Sequence, residues 1–280
     1  MNKKLQMLLC IIIIICGFIA GFAAIDRHNQ NLLAAQQQPE PPENLEEIVP
    51  ETEDGTANRT EGAYGTDTYT DDNGVTVLMV EYRFPDLFDS VSAEALGNIR
   101  QYYDNLAAEK KAFWEGELYN ASLEESTGTG FLPYSVAEDY AVAADTNAYV
   151  SVRRLTTQMT GGVHEDQRIE GETFLKSNGA LLLLSDVFSV APETYRNTLL
   201  ENIYRQMEER SAAYFENARE SADSLLDEAE FYVTDTALCI CYQTYDLAPY
   251  SEGYQIFEIP FAEIQDMLGE AFRTYDIGEE

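Results

Sequence analysis

An apolar run near the N-terminus most constrains what this chain can fold into. Residues 5–25 are 21 consecutive uncharged residues, and positions 11–15 are all isoleucine. A helix of this length crosses the roughly 30 Å hydrocarbon core of a bilayer. Because Lys3 and Lys4 precede the run, the distribution of positive charge predicts a cytoplasmic tip at residues 1–4. We therefore predict a single-pass membrane anchor, with the rest of the protein outside the cell.

A cleaved signal peptide is the alternative interpretation of residues 5–25. Gly21 and Ala23 place small residues at the two positions that determine cleavage. The run is longer, however, than the about 7–15 residues that form the apolar core of such a signal. We favour the uncleaved anchor, and cleavage would make the protein a secreted one.

The part of the chain that follows this run is strongly acidic. It contains all 50 acidic residues and 15 of the 17 basic ones, which leaves a net charge of −35. Nucleic-acid phosphates would be repelled, so nucleic-acid binding is excluded. A basic protein would instead be attracted and steered towards the domain. Solubility in a salty or acidic exterior is the alternative reason for such a charge.

Residues 26–70 have the composition of a stalk. They contain many glutamates, glutamines and prolines but few large apolar side chains. Such a segment cannot bury enough apolar surface to offset the entropy of ordering it. We therefore predict a disordered acidic tether whose charges repel one another and extend it.

The remaining residues mix helix and strand patterns, which predicts an α+β fold. Ser92 can cap a helix over residues 93–118, and Pro192 is placed to begin another. Strand patterns occupy residues 75–84, 134–144, 149–159, 231–233 and 238–242. We predict antiparallel sheets packed with long helices, in two small sub-domains at residues 71–159 and 160–280.

The C-terminal stretch 245–264 has the pattern of a tyrosine-rich loop, a strand and the start of a helix. Pro249 and Gly253 bracket the loop, and Pro260 ends the strand. A Thr160-Gly-Gly-Val-His164 turn comes earlier in the chain. This order of motifs, over residues 160–268, resembles the RsiV-like C-terminal extracytoplasmic domain family.

The resemblance implies an extracytoplasmic domain that senses or binds a protein such as lysozyme. The family includes domains of lysozyme-sensing anti-sigma factors and the N-terminal regions of certain peptidoglycan deacetylases. The histidine-rich metal motifs of those deacetylases are absent from this sequence. Since residues 1–4 alone precede the apolar run, we expect no cytoplasmic sigma-binding segment, and any signal would pass through a partner protein.

Four side chains are candidates for ligand binding: His164, Tyr245, Tyr250 and Tyr254. Tyrosines supply large, fairly rigid contact area with a polar tip, which suits protein surfaces and sugars alike. The structural alternative for the tyrosines is a hydrogen-bonded corner that holds the loop. For His164 it is a hydrogen bond to the backbone of its own turn.

No catalytic residues are predicted, and we expect a protein that is not an enzyme. The sequence motifs of serine hydrolases, zinc peptidases, phosphate loops and dinucleotide sites are absent. Cys239 and Cys241 share one face of a strand, and an isolated pair of this kind is a weak metal signal. We therefore interpret them as packed strand residues and predict no metal site and no cofactor.

Three functions remain open from the sequence. The first, which we favour, is a membrane-anchored binding or sensing module of a bacterial cell envelope, with a lysozyme-like protein or a cell-wall glycan as its ligand. The second is an enzyme that acts on envelope glycan through His164 or a carboxylate pair. The third is a scaffold subunit of an envelope complex.

Overall fold

In this computed structural model, the residues described are 64–85, 91–128 and 130–273. The predicted cytoplasmic tip and anchor, and the predicted stalk up to residue 63, lie outside these ranges. Within the described ranges, no helix has both the length and the apolar character needed to span a bilayer. The described fold therefore begins with the strand that starts at Tyr64.

Five strands pair in chain order to form one sheet. They are β1 (Tyr64–Thr70), β2 (Thr76–Arg83), β3 (Tyr134–Asp145), β4 (Tyr149–Met159) and β5 (Asp166–Leu175). Neighbouring strands are antiparallel, except that β2 and β3 are parallel. The prediction of antiparallel sheets is corrected here to a mixed sheet, because a long helical connection returns the chain to the same end of the sheet.

Strand β1 lies inside the segment predicted to be stalk. Threonines at 66, 68 and 70 alternate with other residues, and the carboxylate of Asp71 accepts hydrogen bonds from the backbone N–H of Asn73 and Val75 in the turn to β2. Residues 64–70, predicted to be the end of the stalk, therefore form a strand instead. The acidic, threonine-rich composition does not predict a strand, because the stability of β1 comes from cross-strand pairing with β2.

The connection from β2 to β3 is mainly helical. It consists of α1 (Ala93–Phe113), a π-helical turn (Trp114–Leu118) and α2 (Tyr119–Ser126). Ser92 caps α1 as predicted, since its hydroxyl oxygen accepts a hydrogen bond from the backbone N–H of Ala95 at 3.2 Å.

The π-helical turn begins at Trp114, the aromatic side chain that enters the core. The helical spacing predicts that Phe113 lies on the buried stripe, with Trp114 beside it. In the structure Trp114 is 3% exposed, whereas Phe113 is 42% exposed. A π turn inserts an extra residue and so rotates the buried stripe for the residues that follow Trp114. The side chains buried between helix and sheet include Leu78, Val80, Ile99, Tyr103, Trp114, Leu118, Val136, Val152 and Phe174.

The C-terminal part forms a three-stranded antiparallel sheet with helices against it. Its elements are α3 (Pro192–Glu209), α4 (Ala218–Leu225), β6 (Glu230–Val233), β7 (Ala237–Tyr242), β8 (Gln255–Pro260) and α5 (Phe261–Ile264). All six residues of β7 are buried. One of its faces belongs to the core that contains Leu199 and Ile203 of α3, and the other meets Ile169 of β5.

Strand β5 connects the two sheets. It follows residue 160 yet pairs with β4, so the first sheet crosses the predicted sub-domain boundary. Its other face contacts β6 so closely that a Cβ on Gly171 would lie 2.0 Å from the carbonyl oxygen of Phe231. Glycine is therefore the residue that allows the two sheets to meet at this point.

Cys239 and Cys241 are packed strand residues, as predicted. Both thiols are free and buried, and they lie between the sheets with Ile169 and Tyr232. Burial raises the pKa of the Cys239 thiol to about 11. A thiol with a raised pKa is a weak nucleophile and a weak metal ligand at neutral pH.

Candidate functional site

Two loops that are distant in sequence meet beside the start of β5. Residues 160–165 connect β4 to β5, and residues 243–254 connect β7 to β8. In the first loop Gly161 has a φ of 81°, a left-handed conformation that favours glycine. The rings of His164 and Tyr250 stack across the two loops, with centroids 3.9 Å apart and an interplanar angle of 15°.

The second loop is fastened to β5 by side-chain hydrogen bonds. The Gln243 amide nitrogen donates to the carbonyl of Ile169 at 2.7 Å, and its oxygen accepts from the N–H of Ile169 at 3.0 Å. The Thr244 hydroxyl donates to the carbonyl of Gln167 at 3.4 Å. The Gln243 side chain thus continues the backbone pairing at the edge of the sheet. It holds the loop that carries Tyr250 against β5.

Tyr245 is held in an unusual backbone conformation at the base of this loop. Its φ is 71°, which for a bulky residue is an outlier that costs on the order of 1–3 kcal/mol. The side chain is 6% exposed, and burial raises the pKa of its phenol, with contributions from Tyr250 and Asp166. Its ring centroid lies 6.0 Å from that of Tyr250. Such strain persists only where the surrounding packing over-determines it, and it clusters at functional sites.

Tyr250 lies beside acidic side chains. Burial raises the pKa of its phenol, and the negative charges of Glu165 and Asp166 raise it further. The phenol therefore keeps its proton at physiological pH and remains a hydrogen-bond donor. We call the set His164, Glu165, Asp166, Tyr245 and Tyr250 the His164 surface.

The structure does not bring Tyr254 into the His164 surface. Its ring packs instead against the small cluster between the sheets, with Ile169 and Cys241. Tyr242 is also a packing residue, because its hydroxyl donates to the carbonyl of Ala222 at 2.8 Å. The four side chains proposed from the sequence thus divide into three that share one surface and one that lies elsewhere.

Gln243, Glu165 and Asp166 belong to this region but are not among the residues predicted from the sequence. Gln243 comes directly after the buried strand β7. A polar residue at such a position can be predicted to pair with a neighbouring strand. Its partner Ile169 lies 74 residues away, however, and only the tertiary fold identifies it. Glu165 and Asp166 are two among 50 acidic residues, so their type alone carried no signal.

A buried charge cluster is a second polar centre of the described fold. Arg154 is 2% exposed, and its guanidinium lies 2.7 Å from Glu138, 2.8 Å from Glu172 and 3.1 Å from Glu170. Lys110 of α1 reaches Glu138 at 2.7 Å. Burial raises the pKa of Glu172 even though Arg154 opposes the shift. This cluster has no local signal in the sequence, because its members lie on four separate elements.

Residues 185–262 match a family model described as a protein of unknown function, DUF3298. The chain is also 27% identical over 174 residues to anti-sigma-V factor RsiV of Bacillus subtilis (strain 168). The chain contains an RsiV-like DUF3298 domain. The RsiV match spans 59% of this chain and 59% of the relative. Tyr245 and Tyr250 fall inside the DUF3298 match, whereas His164 precedes it.

Solved structures of DUF3298 proteins align with this chain. A family protein from Pseudomonas aeruginosa PAO1 has a TM-score of 0.51 at 12% identity, covering 77% of this chain and 96% of that one. A member from Bacteroides fragilis NCTC 9343 has a TM-score of 0.47 at 16% identity, covering 75% and 96%. The first of these supports a shared fold for the DUF3298 domain and its preceding sheet.

Proposed function

We propose that this protein is an extracytoplasmic binding or sensing module of a bacterial cell envelope, and that the His164 surface contacts its ligand. The observation that carries the proposal is the stack of His164 on Tyr250, built from two loops and held by a strained Tyr245. The similarity of the DUF3298 domain to an anti-sigma factor supports a sensing or binding role in general terms.

The chemistry of the His164 surface favours a basic protein such as lysozyme as the ligand. Tyrosine is a frequent anchor at protein interfaces, and Glu165 and Asp166 add negative charge beside it. The net charge of −35 after the apolar run would accelerate the encounter with a basic partner. A cell-wall glycan is the second candidate ligand, but His164 already covers one face of the Tyr250 ring on which a sugar would stack.

We propose binding rather than catalysis at His164. A catalytic histidine needs a partner that orients it. In the described part of the chain its imidazole is exposed and is stacked on a neutral phenol. An alanine substitution at His164 is therefore expected to weaken ligand binding. If purified peptidoglycan is turned over at all, the rate of turnover should not change.

The location that we propose is the outer face of the cell membrane. Residues 5–25 would anchor the protein, and the acidic segment after them would hold the DUF3298 domain away from the bilayer. The domain could then transmit a signal through a partner protein or sequester its ligand. Secretion follows instead if the apolar run is cleaved.

We expect Tyr250→Ala to weaken binding of a lysozyme at least tenfold, because loss of an interface anchor costs about 2 kcal/mol or more. Calorimetric titration of the chain with lysozyme at low salt measures the effect. The affinity of the unsubstituted chain should fall when salt is raised, since the attraction is screened.

Tyr119→Ala is the matched control for this substitution. Tyr119 is also half-buried, and its hydroxyl donates to the carbonyl of Thr70 in β1, at the opposite edge of the sheet from β5. It should bind lysozyme as the unsubstituted chain does. Equal losses in both variants, or no saturable heat at low salt, would refute this version of the function.

A further inference from the structure

A cleft of about 420 Å³ lies beside the buried charge cluster and shares no residue with the His164 surface. Its walls come from α1, β5, the segment 181–185, the start of α3 and the segment 227–231. The lining residues that matter here are Tyr102, Glu170, Glu172, Leu181, Leu183 and Glu230.

The floor of the cleft carries more negative than positive charge. Four carboxylates, on Glu138, Glu170, Glu172 and Glu230, surround or adjoin three cations, Arg154, Lys110 and Arg168. With all seven groups ionised, the excess is one negative charge. Buried charge without a counter-charge is costly, so this arrangement favours the entry of a further cation.

Two carboxylate oxygens in the floor accept no hydrogen bond. Glu172 is 2% exposed, and its Oε1 accepts bonds from Arg154 and, at 3.5 Å, from the Tyr102 hydroxyl. Its Oε2 is buried without any hydrogen bond, and so is Oε2 of Glu170, although that atom lies 3.1 Å from the Arg154 guanidinium. An unsatisfied buried acceptor costs on the order of 1–3 kcal/mol, which a donor from a ligand would recover.

The rim of the cleft is apolar on the side formed by Leu181 and Leu183. Leu181 and Leu183 are large hydrophobic side chains that are 41% and 67% exposed. An alkyl stem could lie along these leucines while its charged end reaches the carboxylates, as lysine and arginine side chains do at amphipathic surfaces. The described residues contain no group of acids, histidines or cysteines arranged to hold a metal ion. The combination of acidic floor and apolar rim therefore fits an organic cation.

We propose that this cleft binds an alkyl-guanidinium or alkyl-ammonium group, the chemistry of an arginine or lysine side chain. The guanidinium or ammonium lies against the acidic floor, where a small movement of the Glu172 side chain lets it donate to Oε2, and the methylene groups contact Leu181 and Leu183. Such a group could come from a protein side chain or from a free alkyl cation. The site is independent of ligand binding at Tyr250.

Calorimetric titration of the 280-residue chain in detergent tests the proposal with three small probes. n-Butylguanidinium should bind saturably, and N-butylurea, its neutral isostere, should bind at least about tenfold more weakly. N-acetylargininamide distinguishes a protein side chain from a free alkyl cation as the source of the bound group. Binding as tight as that of butylguanidinium indicates a side chain on a polypeptide, whereas binding of butylguanidinium alone indicates a free cation. Equal affinity for butylurea, or no binding by any probe, overturns the proposal.

Two variants locate the probe within the cleft. Glu172→Gln should weaken butylguanidinium about tenfold. Leu183→Ser, at an exposed position where the fold is not at risk, should weaken it several-fold. Tyr250→Ala should leave the affinity unchanged, so a failure here is distinct from a failure of the proposed function. Unchanged affinity in both cleft variants, with melting temperatures that confirm folding, would contradict the assignment.

Discussion

Replacing Arg154 with methionine is expected to lower the free energy of unfolding by about 3–5 kcal/mol at pH 7. The guanidinium is buried and contacts Glu138, Glu170 and Glu172 within 3.1 Å. Methionine fills similar space but leaves Glu138 and Glu170 with Lys110 and removes the cation that contacts Glu172. Urea denaturation followed by circular dichroism measures the loss.

The deficit of Arg154→Met should shrink as the pH falls. Burial already raises the pKa of Glu172, and Arg154 opposes that shift. Without Arg154 the folded-state pKa rises further above the unfolded value, so the folded state binds more protons than the unfolded state over the interval between them. Stability in that interval therefore increases as pH decreases. Burial raises the pKa of Glu230 in the same direction.

Arg100→Met provides the control for the Arg154 variant. Arg100 is exposed on α1, and surface substitutions usually change stability by no more than about 0.5 kcal/mol. A loss of similar size in both variants would contradict the buried cluster. So would an Arg154→Met deficit that is the same at pH 5 and at pH 7.

Gly171→Ala is expected to lower the free energy of unfolding by about 3 kcal/mol, the upper part of the range for overpacked sites. The added Cβ would lie 2.0 Å from the carbonyl oxygen of Phe231 and 2.5 Å from its carbonyl carbon. Both atoms are backbone and cannot rotate away, so β5 and β6 must separate. Thermal and urea denaturation give the loss.

Gly97→Ala is the matched control for this substitution. Gly97 lies in α1, and nothing is within 4 Å of the Cβ that alanine would add. Alanine is the better helix former, so the free energy of unfolding should rise by about 0.5–1 kcal/mol. Opposite signs for the two Gly→Ala changes are the expected result, and a stabilised Gly171→Ala would show that the sheets do not meet there.

The elements with local signals could be predicted from the sequence. Ser92 and Pro192 mark helix starts because capping and a fixed φ are properties of a few neighbouring residues. The parallel pairing of β2 with β3 had no such signal, since it depends on the path of α1 and α2 across the sheet. Strand β1 was hidden for a related reason. Its residues are polar, and they become a strand only through pairing with β2.

The candidate site was predicted in part. The Thr-Gly-Gly-Val-His turn and the tyrosine loop were identified separately, and the family resemblance ordered them along the chain. Their stacking contact, between His164 and Tyr250, joins residues 86 positions apart and needs the tertiary fold. The buried cluster around Arg154 had no local signal, because charged residues on β3, β4 and β5 are expected at the surface until α1 covers them.

Hydrogen–deuterium exchange of the chain with and without lysozyme tests the central claim most directly. The account predicts slower amide exchange in residues 160–166 and 244–254 when lysozyme is bound, with little change in residues 93–113 of α1. Exchange in both loops that is unaltered by saturating lysozyme, or protection confined to α1, would contradict a binding function for the His164 surface.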